Sequence, residues 1–186
     1  MPTTVIEIHL TAIDAVLAEC SELKSRVETE RVAVSAITAA LVDASETLVQ
    51  RGWVSPQKVR GLTLSMEENA LDLSAALDEV DASILTAIAP VEIFAQATER
   101  MRTARRKHPT HDGAAAEEPG KAESGMFDSV AARHSALCEH LLESVREFAG
   151  KAARRLDDLR EKIDKLQSLF GEIMAAMSPT RPVLLH

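Results

Sequence analysis

The fold is decided by residues 6–48, which read IEIHLTAIDAVLAECSELKSRVETERVAVSAITAALVDASETL. One column of mostly apolar side chains recurs every seven residues: Ile6, Ile13, Cys20, Val27, Val34, Leu41 and Leu48. A second column follows three residues later: His9, Val16, Leu23, Glu30, Ile37, Ala44 and Arg51. Together they form a seam of period 3.5, which predicts a long helix that packs lengthwise against other helices.

Two further seams of the same period follow. The second helix carries Met66, Leu73, Val80, Ala87, Phe94 and Met101 beside Ala70, Leu77, Ile84 and Val91. The third carries Leu142, Ala149, Leu156, Ile163, Phe170 and Met177 beside Cys138, Val145, Ala152, Leu159, Leu166 and Ile173. Aromatic residues are only 3% of the chain and tyrosine is absent, so strand formers are depleted. The sequence predicts an all-α fold, an elongated bundle of three long helices with coiled-coil character.

The first two helices are predicted to form an antiparallel hairpin over residues 1–107. Gly52 is a plausible terminator of the first helix, and Ser55 with Pro56 gives a strong restart signal. So short a turn folds the second helix back along the first, with Trp53 plugging that end of the bundle. Pro90 interrupts the second seam, which leaves open a kink or a break.

Residues 108–125 are rich in Pro, Gly, Ala and acidic side chains, and they are predicted to be a flexible linker. The third helix is expected over 126–178, completing an up, down, up order. A second apolar line on its first half (His134, Leu137, Leu141 and Phe148) suggests contact with two helices there, leaving the distal half for another chain. The extended tail 179–186 either docks on the bundle or anchors a partner.

The net charge of −8 argues against general nucleic-acid binding, because the phosphate backbone repels an acidic chain. Residues 99–107 form a local exception, with Arg100, Arg102, Arg105, Arg106 and Lys107 beside a single Glu99. Cations at a helix C-terminus complement its dipole without any partner. A second interpretation is contact with acidic lipid headgroups or an acidic protein surface.

Two cysteines, Cys20 and Cys138, are too few for a disulfide framework, and both lie on seam positions. They are expected to be buried, reduced and near one another. The start of the chain lacks the pattern of a signal peptide, and the uncharged apolar runs are shorter than a bilayer span. We therefore expect a cytoplasmic protein that is neither secreted nor transmembrane, with the nucleus left open.

Candidate chemistry is sparse. His134 and Cys138 lie four residues apart, but His140 points away from them, so a zinc site is not predicted. The DDLRE stretch at 157–161 only superficially matches a magnesium-binding acidic motif, since Leu156 and Leu159 hold the seam and turn the acids outward. Glu-x-x-His pairs and glycine-rich phosphate loops are missing. We predict no catalytic residue, metal or cofactor.

The sequence therefore predicts a non-enzymatic adaptor or scaffold subunit that binds protein helices or self-associates, as a homo- or hetero-oligomer. The alternative is a peripheral cytoskeleton- or membrane-surface-binding protein that uses the basic group at 100–107. The predicted partner-binding residues are Arg100, Arg102, Arg105, Arg106, Lys107, Leu159, Ile163, Leu166, Phe170, Ile173, Leu184 and Leu185.

Overall fold

The computed structural model describes residues 3–51, 56–107 and 121–177. It contains three helices: α1 over Thr3–Gln50, α2 over Pro56–Lys107 and α3 over Lys121–Met177. Within those described ranges there is no strand. The prediction of an all-α bundle of three long helices is confirmed.

The seams form the core. All seven residues of the first α1 column, from Ile6 to Leu48, are buried. In the second α1 column, the apolar residues are buried, and so are His9 and Glu30. The α2 and α3 columns are buried along most of their length, and large side chains among their fully buried members are Leu77, Ile84, Val91, Leu156, Leu159 and Ile163. A period of 3.5 residues keeps one stripe of each helix facing the others, so each helix covers the apolar surface of its neighbours.

The helices contribute to two compact units. Unit 1 comprises Met1–Leu23 and Ser83–Ala152, and unit 2 comprises Lys24–Ala82 and Ala153–His186. Each unit thus takes a segment from all three helices, and each buries its own part of the seams.

Side-chain contacts in unit 2 fix the helix directions there. Arg31 of α1 contacts Asp78 of α2 at 2.6 Å, and farther along α1 a groove brings Val49 beside Leu64. From the Arg31–Asp78 contact to the groove, the residue number rises on α1 from 31 to 49 and falls on α2 from 78 to 64. The two helices are therefore antiparallel. The predicted hairpin direction is confirmed.

The α1–α3 pair in unit 2 runs in one direction. Arg26 of α1 bonds Asp157 of α3 at 2.5 Å, and Glu30 lies 3.7 Å from Arg160. From the first contact to the second, the residue number rises on both α1 and α3. The α3 helix is therefore parallel to α1 in unit 2, which agrees with the predicted up, down, up order.

Pro90 lies inside α2, which continues on both sides of it, so the helix does not break there. The third helix begins earlier than the sequence suggested: Lys121 lies inside the segment 108–125 that was predicted as a linker. The rest of that linker (108–120), the turn with Gly52 and Trp53, and the tail 179–186 lie outside the described residues.

Candidate functional site: an apolar face and a histidine layer

The predicted basic group is only partly available for binding. Arg100 is exposed, but Arg102 is half-buried and engages two carboxylates, Glu99 at 2.5 Å and Glu7 at 3.7 Å. The backbones of Arg105, Arg106 and Lys107 complete α2, while their side chains lie outside the described part. Of the two described arginines, one therefore serves unit 1 as an internal ion-pair partner.

The α3 residues predicted to bind a partner are mostly core residues of the chain itself. Leu159, Ile163 and Leu166 are buried, and Phe170 is half-buried. Partner binding through the first three would require unit 2 to open. The side chain of Ile173 lies outside the description, as do Leu184 and Leu185.

A different set of apolar side chains is exposed in unit 2, and we call it the apolar face. It consists of Val42 and Val49 on α1 with Leu64 and Leu71 on α2, which are 44%, 47%, 52% and 69% exposed. Each pair is seven residues apart and directly follows a seam position, so each pair forms a short column along one side of its helix. Single exposed apolar residues are normal, whereas a contiguous group indicates a contact surface.

The two columns meet at a groove between α1 and α2. Val49 and Leu64 line it together with Ser45, Glu46, Gln50, Gln57, Arg60, Thr63 and Glu67. Because α1 and α2 are antiparallel here, Val42 and Leu71 continue the same line away from the groove. The geometry suits a rod lying lengthwise, as a further helix would.

Unit 1 contains a partly buried polar layer to which all three helices contribute, and we call it the histidine layer. His9 Nε2 of α1 lies 3.2 Å from Ser135 Oγ of α3, and His134 Nε2 of α3 lies 3.3 Å from Thr98 Oγ1 of α2. The two imidazole centroids are 6.1 Å apart. The His134 ring also stacks on Phe94, with centroids 4.4 Å apart.

The hydrogen bonds assign the tautomer of His134. Thr98 Oγ1 donates its only proton to the Phe94 carbonyl oxygen at 2.8 Å, so it must accept a hydrogen bond from His134 Nε2. Nδ1 of His134 is buried and has no hydrogen-bond partner among the described residues, so a proton on Nδ1 would lack an acceptor and the neutral ring with its lone pair on Nδ1 is favoured. His9 Nδ1 is buried without a partner as well.

The Ser135–His9 pair does not have the geometry of an activated nucleophile. A serine nucleophile needs a histidine whose second nitrogen is held by an orienting group, and His9 Nδ1 has no such partner. Within the described residues, no group of three or more His, Cys, Asp or Glu side chains could hold a metal ion. The layer therefore resembles a polar packing layer more than a reaction centre.

Both cysteines are free and buried, as predicted. Burial raises the pKa of the Cys20 thiol, with a smaller contribution from Glu19. The pKa of Cys138 is raised in the same way by burial and then by Glu139. Both side chains consequently behave as small neutral core residues.

Two helical segments, Val5–Gln50 and Thr63–Ala104, contain windows apolar enough to cross a bilayer, with mean hydropathies of 1.6 and 1.3. Length and composition are weak signs of a membrane span, because bundle helices have the same properties.

The sequence predictions did not include the apolar face, because on α1 and α2 they assigned apolar helix contacts only to seam positions. Its signal was present in the sequence, as apolar residues with heptad spacing one position after the seam: Val42 and Val49, then Leu64 and Leu71. The histidine layer was seen only as isolated residues, since sequence spacing on one helix cannot pair His9 with Ser135.

Comparison with known proteins returned no match to a family model, a curated protein or a solved structure. Function is therefore inferred from the chain's own residues.

Proposed function

We propose that this chain is a non-enzymatic helical-bundle protein that acts as an adaptor or scaffold subunit of an intracellular protein assembly. It binds by helix packing, either with a second copy of itself or with a helix of another subunit. The observation that carries the proposal is the apolar face, where Val42, Val49, Leu64 and Leu71 are exposed on adjacent antiparallel helices.

The energetics of covering this face are favourable. Full burial of one aliphatic side chain contributes about 1.5–3 kcal/mol, and the four residues are already roughly half-covered. Covering the remainder gives several kcal/mol before the cost of association is subtracted. The groove also carries Glu46, Arg60 and Glu67, which supply a charged rim around an apolar centre.

The double variant Val49→Glu/Leu64→Glu tests the proposal. Two carboxylates in the middle of the face would have to be desolvated on binding, so we expect at least about a hundredfold weaker association. The measurement is the solution mass of the purified chain over a range of concentrations, together with affinity purification from cells.

The matched control is Ala39→Glu/Ala75→Glu, which adds the same two charges at exposed positions of α1 and α2 in unit 2, away from the groove. The control variant should associate as the parent chain does, and circular dichroism should show equal helix content in all three proteins. A parent chain that stays monomeric and retains no cellular partner would rule out the assembly role.

The alternative, binding to an anionic membrane or cytoskeletal surface through residues 100–107, has less support. Arg102 already engages Glu7 and Glu99, and the overall charge is −8. Salt-sensitive binding to anionic vesicles by the monomeric Val49→Glu/Leu64→Glu variant would favour this alternative.

A further inference from the structure

The histidine layer places the His134 ring where a second proton is unfavourable. Protonation of His134 would add an N–H at Nδ1, an atom that is buried and has no acceptor within the part of the chain that the structure describes. Nδ1 of His9 is likewise buried and has no partner among the described residues. A buried donor that loses water without gaining an acceptor destabilises the fold, and a charged donor does so more strongly.

The two rings also oppose each other's charge. Their centroids are 6.1 Å apart, so charging one disfavours charging the other. Burial, and then the charge of His9, lower the pKa of His134 below its ordinary value. On the α2 side, the His134 ring stacks on Phe94 and lies beside the buried Thr98.

Charged groups on all three helices surround the layer. Arg102 of α2 engages Glu7 of α1 and Glu99 of α2, so both carboxylates are balanced by a cation. On α3, Arg133 is exposed, and the groove beside His9 is lined by Glu139, Glu143, Arg146 and Glu147. These α3 groups are exposed, and Glu147 is paired with Lys151 at 2.7 Å, so solvent screens the effect of their charges on the layer.

We propose that the histidine layer makes unit 1 acid-sensitive: protonation of His134, which lies beside His9, loosens the packing of the three helix segments of unit 1. Unit 2 has no such layer among its described residues, so its packing does not respond in this way. This response to acid does not depend on the apolar face. In a mildly acidic compartment it would expose apolar core residues of unit 1.

The direction of the pH dependence follows from linkage. The pKa of His134 is lower in the folded chain than in the unfolded chain, where the pKa of a histidine is about 6.5. Below that pH the unfolded state binds more protons, so the stability is full above about 6.5 and is lost as the pH falls through it. The loss stops once folded His134 is itself protonated.

The test compares urea unfolding between pH 7.5 and 5.5 for the parent chain, the variant His9→Gln/His134→Gln and the control His140→Gln, an exposed histidine of α3. Each proton taken up on unfolding raises the unfolding equilibrium constant by up to about tenfold per pH unit. The parent and the control should show this rise, and the double variant should show a clearly smaller one. Equal pH slopes in all three proteins would overturn the proposal.

A second measurement decides the matter if the double variant fails to fold. The ring protons of the histidines in the parent chain are titrated by NMR, and the His134 signal is identified by its loss in the single variant His134→Gln. A midpoint for His134 well below about 6.5 supports the proposal, and a midpoint at or above that value contradicts it.

Discussion

Leu77→Ala should lower the free energy of unfolding by about 2–5 kcal/mol, the cost typical of deleting a buried leucine side chain. Leu77 of α2 is 0% exposed and lies on the seam that faces the other helices of unit 2. The truncation removes apolar contacts and leaves a cavity that long, regular helices cannot easily close. Urea denaturation followed by circular dichroism measures the change.

Leu71→Ala is the matched control, because it makes the same substitution on the same helix at a side chain that is 69% exposed. Its effect on the unfolding free energy of the monomeric chain should stay within about 0.5 kcal/mol. Leu71→Ala should change the free energy of association more than it changes the free energy of unfolding, since Leu71 belongs to the apolar face. Similar destabilisation by both substitutions would mean that Leu71 is covered and that the face is not a free surface.

Much of the fold could be predicted from the sequence because one physical rule dominates it. Apolar residues at a period of 3.5 must be covered by other helices, and the buried columns Ile6–Leu48 and Cys138–Leu166 follow that rule. The bounds of α2 were equally readable: Pro56 fits the first helical position, and Lys107 precedes a stretch rich in Pro, Gly and acidic residues.

The start of α3 was harder to predict. Residues 121–125 read KAESG, and no apolar period distinguishes them from the linker before them. Helix nevertheless extends to Lys121, since propagating an existing helix costs far less than nucleating one.

The width of the apolar stripe was a poor guide to partner contacts. The second apolar line on the first half of α3 suggested that only this half contacts two helices, yet Leu137 of that line is 61% exposed. The distal residues Leu159 and Ile163, predicted to be available, are buried. In a three-helix arrangement a seam two residues wide is enough to fill the centre, so extra apolar residues beside it do not report burial.

Arg160→Glu should lower the free energy of unfolding by about 1–2 kcal/mol, because residue 160 faces the carboxylate of Glu30. Glu30 occupies a seam position of α1, is 8% exposed and has Arg160 of α3 at 3.7 Å. Reversing the charge leaves a largely buried carboxylate beside a second carboxylate, and the exposure of Arg160 keeps the cost below that of a fully buried pair. The cost should shrink in 1 M salt, where the screening length falls to about 3 Å.

The same reversal in the background of Glu30→Leu separates this cause from a general effect of charge on α3. Without the buried carboxylate, Arg160→Glu should cost less than about 0.5 kcal/mol, so the double-mutant cycle should show a coupling of about 1 kcal/mol or more. Arg155→Glu, an exposed arginine of the same helix, provides the control for added negative charge. If Arg160→Glu costs the same with and without Glu30, the seam glutamate is not held by Arg160, and its position must be stabilised by other groups around α1.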